Sequence, residues 1–243
     1  MELIRPDWPA PPGVRACSTT RNGGVSQGPF AGLNLGDHVG DDAERVADNR
    51  MRLREALNLP AEPLWLRQVH GCGVARAGEA SQGCTADVAV AWGPGQVCAV
   101  MTADCLPVLL CDRGGGAVAA VHAGWRGLAA GVLEQGVAAL GVSPSEVLAW
   151  LGPAIGPAAF EVGSEVRDQL LAADPGAESA FCPSPDGRWL ADLYALARRR
   201  LGRIAVAGVF GGGHCTYSDP SRFFSYRRDG VTGRMASLIW LVQ

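Results

Sequence analysis

A cysteine and two histidines hold the most chemistry in this chain: His70, Cys105 and His122. Cys105 and His122 bracket a stretch that reads as a hairpin, Leu106 to Cys111 and Ala117 to His122 around the turn Asp112-Arg-Gly-Gly-Gly116. If the arms are symmetric about that turn, Cys111 faces Gly116 and Cys105 faces His122. The last two would share one side of the sheet, with Cβ atoms about 4.5–5.5 Å apart. A thiol beside an imidazole can act as a nucleophile with its base, or the two can ligate a metal. His70 closes another extended run, Leu64 to His70, where alternation puts Leu64, Leu66, Gln68 and His70 on one face. Brought to the same place, it completes a His-Cys-His set. Two imidazoles and a thiolate suit zinc, and three protein ligands leave a position open for water or substrate. Copper competes for these donors, with Met101 nearby as a weak axial ligand. The spacing is no standard metal motif, so a buried cysteine and two satisfied core histidines stand as the alternative.

Arginine is the second residue type of interest. All 21 basic side chains are Arg, which excludes a lysine Schiff base and the Gly-Lys-Ser/Thr phosphate loop. Arg50 lies on the apolar stripe Val46, Leu53, Leu57 of an expected helix, with Asn49 beside it. A core-facing guanidinium requires a carboxylate, backbone carbonyls or an anionic ligand. A structural ion pair and an anion site are both open on this reading. Trp125 and Arg126 follow His122 in a strand-to-helix turn, where Trp125 can pack or stack on a base. Asp104 adjoins Cys105 and points to the other face in an extended segment. His214 and Cys215 are neighbours and face opposite ways, so they make no second metal pair, and His38 reads as a loop residue.

The elements that must position these residues alternate in type. A helix follows the cap pair Asp41-Asp42 and runs to about Leu57. Helices are expected over Gly127 to Leu140, through Glu165 to Leu171, and over Leu190 to Leu201. Buried or alternating runs give strands at Val97 to Met101, the hairpin arms, Ala205 to Phe210, Phe223 to Arg228 and Arg234 to Leu241. The last two would pair across Asp229-Gly230 and Thr232-Gly233. The class is α/β (α+β), with mixed sheets and flanking helices, and residues 1–243 form one domain.

A chain of 243 residues with 48% apolar and 19% charged residues is globular. Its net charge of −3, without a basic run, argues against nucleic acid as the main partner. No window approaches the ~18 apolar residues of a membrane span. The start, Met1-Glu-Leu-Ile-Arg-Pro-Asp-Trp-Pro, lacks the apolar stretch of an export signal. The expectation is a cytoplasmic protein whose eight cysteines are thiols.

Three segments, Gln68-Val-His-Gly71, Thr102-Ala-Asp-Cys-Leu-Pro107 and His122-Ala-Gly-Trp-Arg-Gly127, closely resemble the signatures of the bacterial YfiH-like family. That family is also described as multicopper polyphenol oxidase (laccase) domain or peptidoglycan editing factor proteins. Thr20-Arg-Asn-Gly-Gly-Val-Ser26, Asn34-Leu-Gly36, Asn49-Arg50, Gly152-Pro-Ala-Ile-Gly156, Phe224-Ser-Tyr-Arg-Arg228 and Thr232-Gly-Arg-Met235 extend the likeness over most of the chain. The resemblance implies a single YfiH-like domain with His70, Cys105 and His122 as zinc ligands at the catalytic centre. It makes Arg50, Asn49 and Arg21 candidates for contact with substrate or phosphate. The implied activities are phosphorolysis of adenosine, inosine and S-methyl-5′-thioadenosine, and deamination of adenosine. Editing of serine-containing peptidoglycan precursors and copper-dependent phenol oxidation are the other roles ascribed to such proteins. The expected partners are a nucleoside and phosphate.

Overall fold

The computed structural model describes residues 1–242. In chain order the strands and helices are β1 (Leu3–Ile4), β2 (Val14–Thr19), α1 (Ala43–Leu57), β3 (Val74–Arg76), β4 (Val88–Ala91), β5 (Val97–Thr102), β6 (Leu106–Asp112), β7 (Val118–Ala123), α2 (Trp125–Ala130), α3 (Val132–Ala139), β8 (Val147–Leu151), β9 (Glu161–Val162), α4 (Ser164–Ala173), β10 (Phe181–Pro183), β11 (Trp189–Ala191), α5 (Leu193–Arg203), β12 (Gly208–Gly211), α6 (Tyr226–Asp229) and β13 (Met235–Leu241). They build a mixed six-stranded sheet, β12-β8-β6-β7-β4-β3, and a four-stranded sheet, β1-β2-β13-β5. A small third sheet, β10-β11-β9, stands apart.

Period-two alternation assigns the strands' side chains to layers. Val108 and Leu110 of β6 and Val121 of β7 share a core with Leu128, Val137, Val166 and Leu196 of the helices. Leu109 and Cys111 of β6 turn the other way and pack with Val100 of β5 and Ile239 of β13. The far face of the four-stranded sheet, through Ala99 and Leu238, receives Leu53 of α1. The order of layers is helix, sheet, sheet, helices. Both sheets are covered on both faces, which is why β5, β6 and β7 are continuous apolar runs.

Helix α1 begins where its cap pair requires: the Asp42 carboxylate accepts from Glu44 N and Arg45 N. Other expected elements are redrawn. Gly127 to Leu140 divides into α2 and α3 at Gly131, whose φ of +95° ends the first helix. Phe223 to Arg228 is not a strand and makes no hairpin with β13. Phe223 and Phe224 are buried instead, and Ser225 caps α6 by accepting from Arg228 N. Leu64 to His70 is extended but forms only isolated bridges, Leu64 to Cys98 and Arg67 to Thr85. Side chains complete its pairing: Gln68 donates to Met101 O and accepts from Met101 N, both at 2.7 Å. All eight cysteines are thiols, and no helix among the described residues is long and apolar enough to cross a membrane.

Candidate metal centre

The chain crosses from one sheet to the other between Thr102 and Leu106, and the site forms at that crossing. Asp104, at φ +96°, makes the turn. Its carboxylate accepts from Thr216 Oγ1 at 2.6 Å and Arg227 N at 2.7 Å, and its carbonyl from Ile155 N. Asp104 is thus the turn-former that holds Cys105 at the mouth of the sheet. The β6–β7 register pairs His122 with Pro107, not with Cys105. The expected alignment is off by two residues because the turn is longer on one side than the symmetric reading assumed. An even shift preserves the face, so Cys105 and His122 become diagonal neighbours on the same side.

His70 arrives from the extended 64–70 segment with a left-handed φ of +61°. A non-glycine residue adopts that conformation only where its surroundings compensate the strain. Asp87, fully buried at the head of β4, provides the compensation. Its carboxylate accepts from the backbone amides of Val69 (3.2 Å), His70 (2.9 Å) and Gly71 (2.7 Å). The same carboxylate lies 2.8 Å from His122 Nδ1, and its carbonyl accepts from His122 N. One buried carboxylate therefore sets the backbone of one histidine and the ring of the other. Burial works against its charge, but His122 and the Gly71 and Val69 amides hold its pKa below the usual carboxylate value. With Nδ1 engaged, His122 presents Nε2 to the site, the arrangement common among metal-ligating histidines. Sequence reasoning missed Asp87; the available signal was a lone acid at the start of the apolar run Val88–Ala91.

The donor atoms of His70, Cys105 and His122 lie within 4.8 Å of one another, with Cys105 Sγ 3.7 Å from His70 Nε2. Tetrahedral zinc with ordinary bond lengths would set a nitrogen–sulfur separation of about 3.6 Å. Gly124 leaves the space: a Cβ there would stand 2.7 Å from His70 Cδ2 and 3.1 Å from Cys105 Sγ. The set fits a metal. Without one, burial opposes the thiolate, yet His122 and His70 outweigh it and bring Cys105 down to about 6. Burial likewise opposes a charged His122, but Cys105 and Asp87 raise it to about 9. The ligand cysteine is disposed to be a thiolate at neutral pH.

A cavity of about 500 Å³ opens over the cluster, walled by Gln68, Thr102, Arg126, Tyr226 and Arg234, with His38 on its rim. His38 is a turn residue, as expected, that also reaches the site. Trp125 packs against the core at the base of α2, and Arg126 stacks on its ring at 4.4 Å. His214 and Cys215 stay outside the cluster.

None of the three residues expected at phosphate or substrate is among those lining the cavity over the cluster. Asn49 is fully buried, donates to Ser26, Gly32 O and Asn34 O, and accepts from Val25 N. It is a structural tie, because every polar atom is used within the fold. Arg21 donates to Pro220 O and Ala31 O and rests over Phe224, away from the cavity. Arg50 lines an adjoining groove that shares His38, Gln68 and Met101 with the cavity. Its Nε and Nη2 donate to Leu35 O, Asp37 stands 3.3 Å away, and Trp65 lies beneath at 4.4 Å.

Fold and cluster define a class: a layered α/β domain with an open, three-ligand candidate metal centre where its two large sheets meet. The model of the multi-copper polyphenol oxidoreductase laccase family matches residues 15–242, and the chain belongs to this YfiH-like family. It is 60% identical over 239 residues to a purine nucleoside phosphorylase of Pseudomonas aeruginosa, covering 98% of each chain. It is 57% identical over 242 residues to the purine nucleoside phosphorylase YfiH of Escherichia coli, covering 99% of each. A crystal structure of a Neisseria meningitidis protein superposes with a TM-score of 0.96 at 54% identity, over 100% of both chains.

Proposed function

We propose that this chain is a zinc-dependent purine nucleoside phosphorylase acting on adenosine, inosine and S-methyl-5′-thioadenosine, with deamination of adenosine as a second activity. The observation that carries the reading is the His70-Cys105-His122 cluster at the floor of an open cavity. The names of the relatives supply the substrate class. A bound zinc would supply Lewis-acid polarisation of the reactants. The protein would hold phosphate in line with C1′, so that a phosphate oxygen bonds to C1′ as the C1′–N9 bond breaks. The proton of the incoming hydrogen phosphate passes to the departing purine, leaving a pentose 1-phosphate. The test is to supply zinc-loaded protein with each nucleoside and phosphate and to assay adenine, hypoxanthine, inosine and the pentose phosphate. Absence of turnover on all three nucleosides ends the proposal.

One observation favours a second reading, a cysteine hydrolase acting on an amide such as a serine-containing cell-wall precursor. The lowered Cys105 beside the raised His122 is a ready nucleophile and acid–base pair. Chelators separate the two: a thiol nucleophile ignores them and is blocked by alkylation, whereas a Cys-ligated zinc enzyme loses activity with its metal. The family's copper oxidase name fits less well. Four-electron oxygen reduction requires several coppers, and the described residues hold a single His/Cys/acid cluster of three or more.

A further inference from the structure

We propose that the anion subsite of the cavity, the place that takes inorganic phosphate, is formed by Arg234 and Arg126. This rests on the phosphorylase reading above and assigns its co-substrate to residues other than Arg50. Three observations carry it. Among the described residues, neither guanidinium has a carboxylate within salt-bridge distance, and both line the cavity over the metal cluster. Arg234 donates through Nη1 to Thr232 O and Gly233 O. Its Nε and Nη2 have no acceptor among the described residues and are left for a ligand in the cavity. Among the described residues the Arg126 guanidinium has no hydrogen-bond partner, and it stacks on Trp125.

The second observation is placement. Arg234 immediately precedes β13, whose first residue, Met235, pairs with Thr102 at the end of β5. This is the strand that turns through Asp104 into Cys105. Gly36 passes so close that a Cβ there would stand 2.8 Å from Arg234 Cγ, which fixes the stem of the side chain. A guanidinium held in advance loses less freedom when it binds.

The third is charge. No Asp or Glu lines the cavity. Two carboxylates lie behind its walls and both are engaged: Asp104 by Thr216 and the Arg227 amide, and Asp87 by the Val69, His70 and Gly71 amides and the His122 ring. A metal held by the cluster would take up the negative charge of Cys105. A dianion between two guanidiniums and a divalent cation is strongly favoured, and a planar guanidinium matches phosphate oxygens two at a time. Arg50 offers less: its Nε and Nη2 donate to Leu35 O, and an anion there would compete with Asp37, 3.3 Å from Nη2.

The experiment measures binding of inorganic phosphate to the zinc-loaded chain by calorimetry at fixed ionic strength, alongside KM for phosphate and for inosine. Arg234→Met should weaken phosphate at least about tenfold and Arg126→Met about three- to tenfold, with inosine KM changed less than about threefold. Arg234→Lys should restore part of the loss. Zinc content should match the parent, and Tm, measured on the same samples, should fall only by the few degrees that losing the Arg234 bonds to Thr232 O and Gly233 O implies. Unchanged phosphate affinity in a folded, zinc-loaded Arg234→Met protein overturns the subsite. So does an equal loss for phosphate and inosine. A parent protein that binds phosphate through Arg234 but cleaves no nucleoside removes the phosphorylase reading and keeps the subsite. A phosphorolytic parent whose phosphate KM ignores Arg234 does the reverse.

Discussion

Arg50 and Arg234 face adjoining cavities that share His38, Gln68 and Met101, and the fold treats them differently. Arg50 has a carbonyl, a carboxylate and an aromatic face. Arg234 has two carbonyls on one nitrogen, the Tyr226 ring 6.0 Å away and, among the described residues, no carboxylate within salt-bridge distance. Burial depresses the pKa of both, and both guanidiniums stay charged at neutral pH. What separates them is the supply of partners. A partly buried cation whose partners come from the protein holds structure, and one whose partners are withheld is kept for a ligand.

The largest expected effect lies in the cavity of Arg234. Cys105→Ser and His122→Ala should each lose bound zinc, read by metal analysis after dialysis, and lower phosphorolysis at least about a hundredfold. A Cys105→Ser protein that keeps its zinc and its turnover would break the comparison, because the chemistry would then belong to the other groove. A smaller loss is expected at Asp87. Asp87→Asn keeps the size of the side chain but replaces one acceptor oxygen with a donor amide, against three backbone N–H groups and an imidazole. Zinc affinity, read against a competing chelator, should fall about 10- to 100-fold. Retained affinity would mean that the His70 turn and the His122 ring are set without this carboxylate.

How much of this was legible beforehand follows the same division. The helix α1 could be read to its ends because a cap and an apolar stripe are local properties, and Asp42 makes both of its cap bonds. The ligand trio could be read because thiol and imidazole are rare and chemically marked. Even the wrong hairpin register kept Cys105 and His122 on one face, since its error was an even number of residues. Asp87, Arg126 and Arg234 could not be assigned roles in that way. Whether a charge is satisfied depends on groups far away in sequence, and an unmet donor has no local signature. Phe223 and Phe224 misled for a related reason: aromatic residues suit strands, but these two are buried beneath a turn that Ser225 converts into helix.

Arg50→Met sharpens the comparison at an intermediate size. Breaking a fully buried ion pair costs roughly 3–5 kcal/mol. The pair is not buried on both sides: Arg50 is 16% exposed and Asp37 is 59% exposed. Removing the guanidinium leaves Asp37 hydrated. What is lost is the contact with Trp65 and the two bonds to Leu35 O, together about 1–3 kcal/mol. Denaturant titration should find that loss, with phosphate affinity kept within about twofold. A tenfold fall in phosphate affinity without a change in stability would move the anion subsite to this groove.

A third arginine setting gives the smallest effect. Arg199 and Arg203 gather around Asp174, at 2.6 Å and 3.3 Å, with both guanidiniums largely in water. The Arg199 hydrogen bond, against the opposing effect of burial and with the charges of both arginines, holds the Asp174 pKa below its ordinary value. A carboxylate depressed in the fold contributes stability that is present above its unfolded pKa. That contribution is lost as pH falls through the lower, folded value. Asp174→Asn isolates the charge, since the amide oxygen can still accept from Gly176 N at the start of the following turn. Solvent screens such pairs, so the variant should melt no more than about 2 °C below the parent at pH 7. The gap should close in strong acid, where the parent's own carboxylate is protonated. A gap that persists unchanged at low pH would assign the loss to packing around the turn and not to the guanidinium pair.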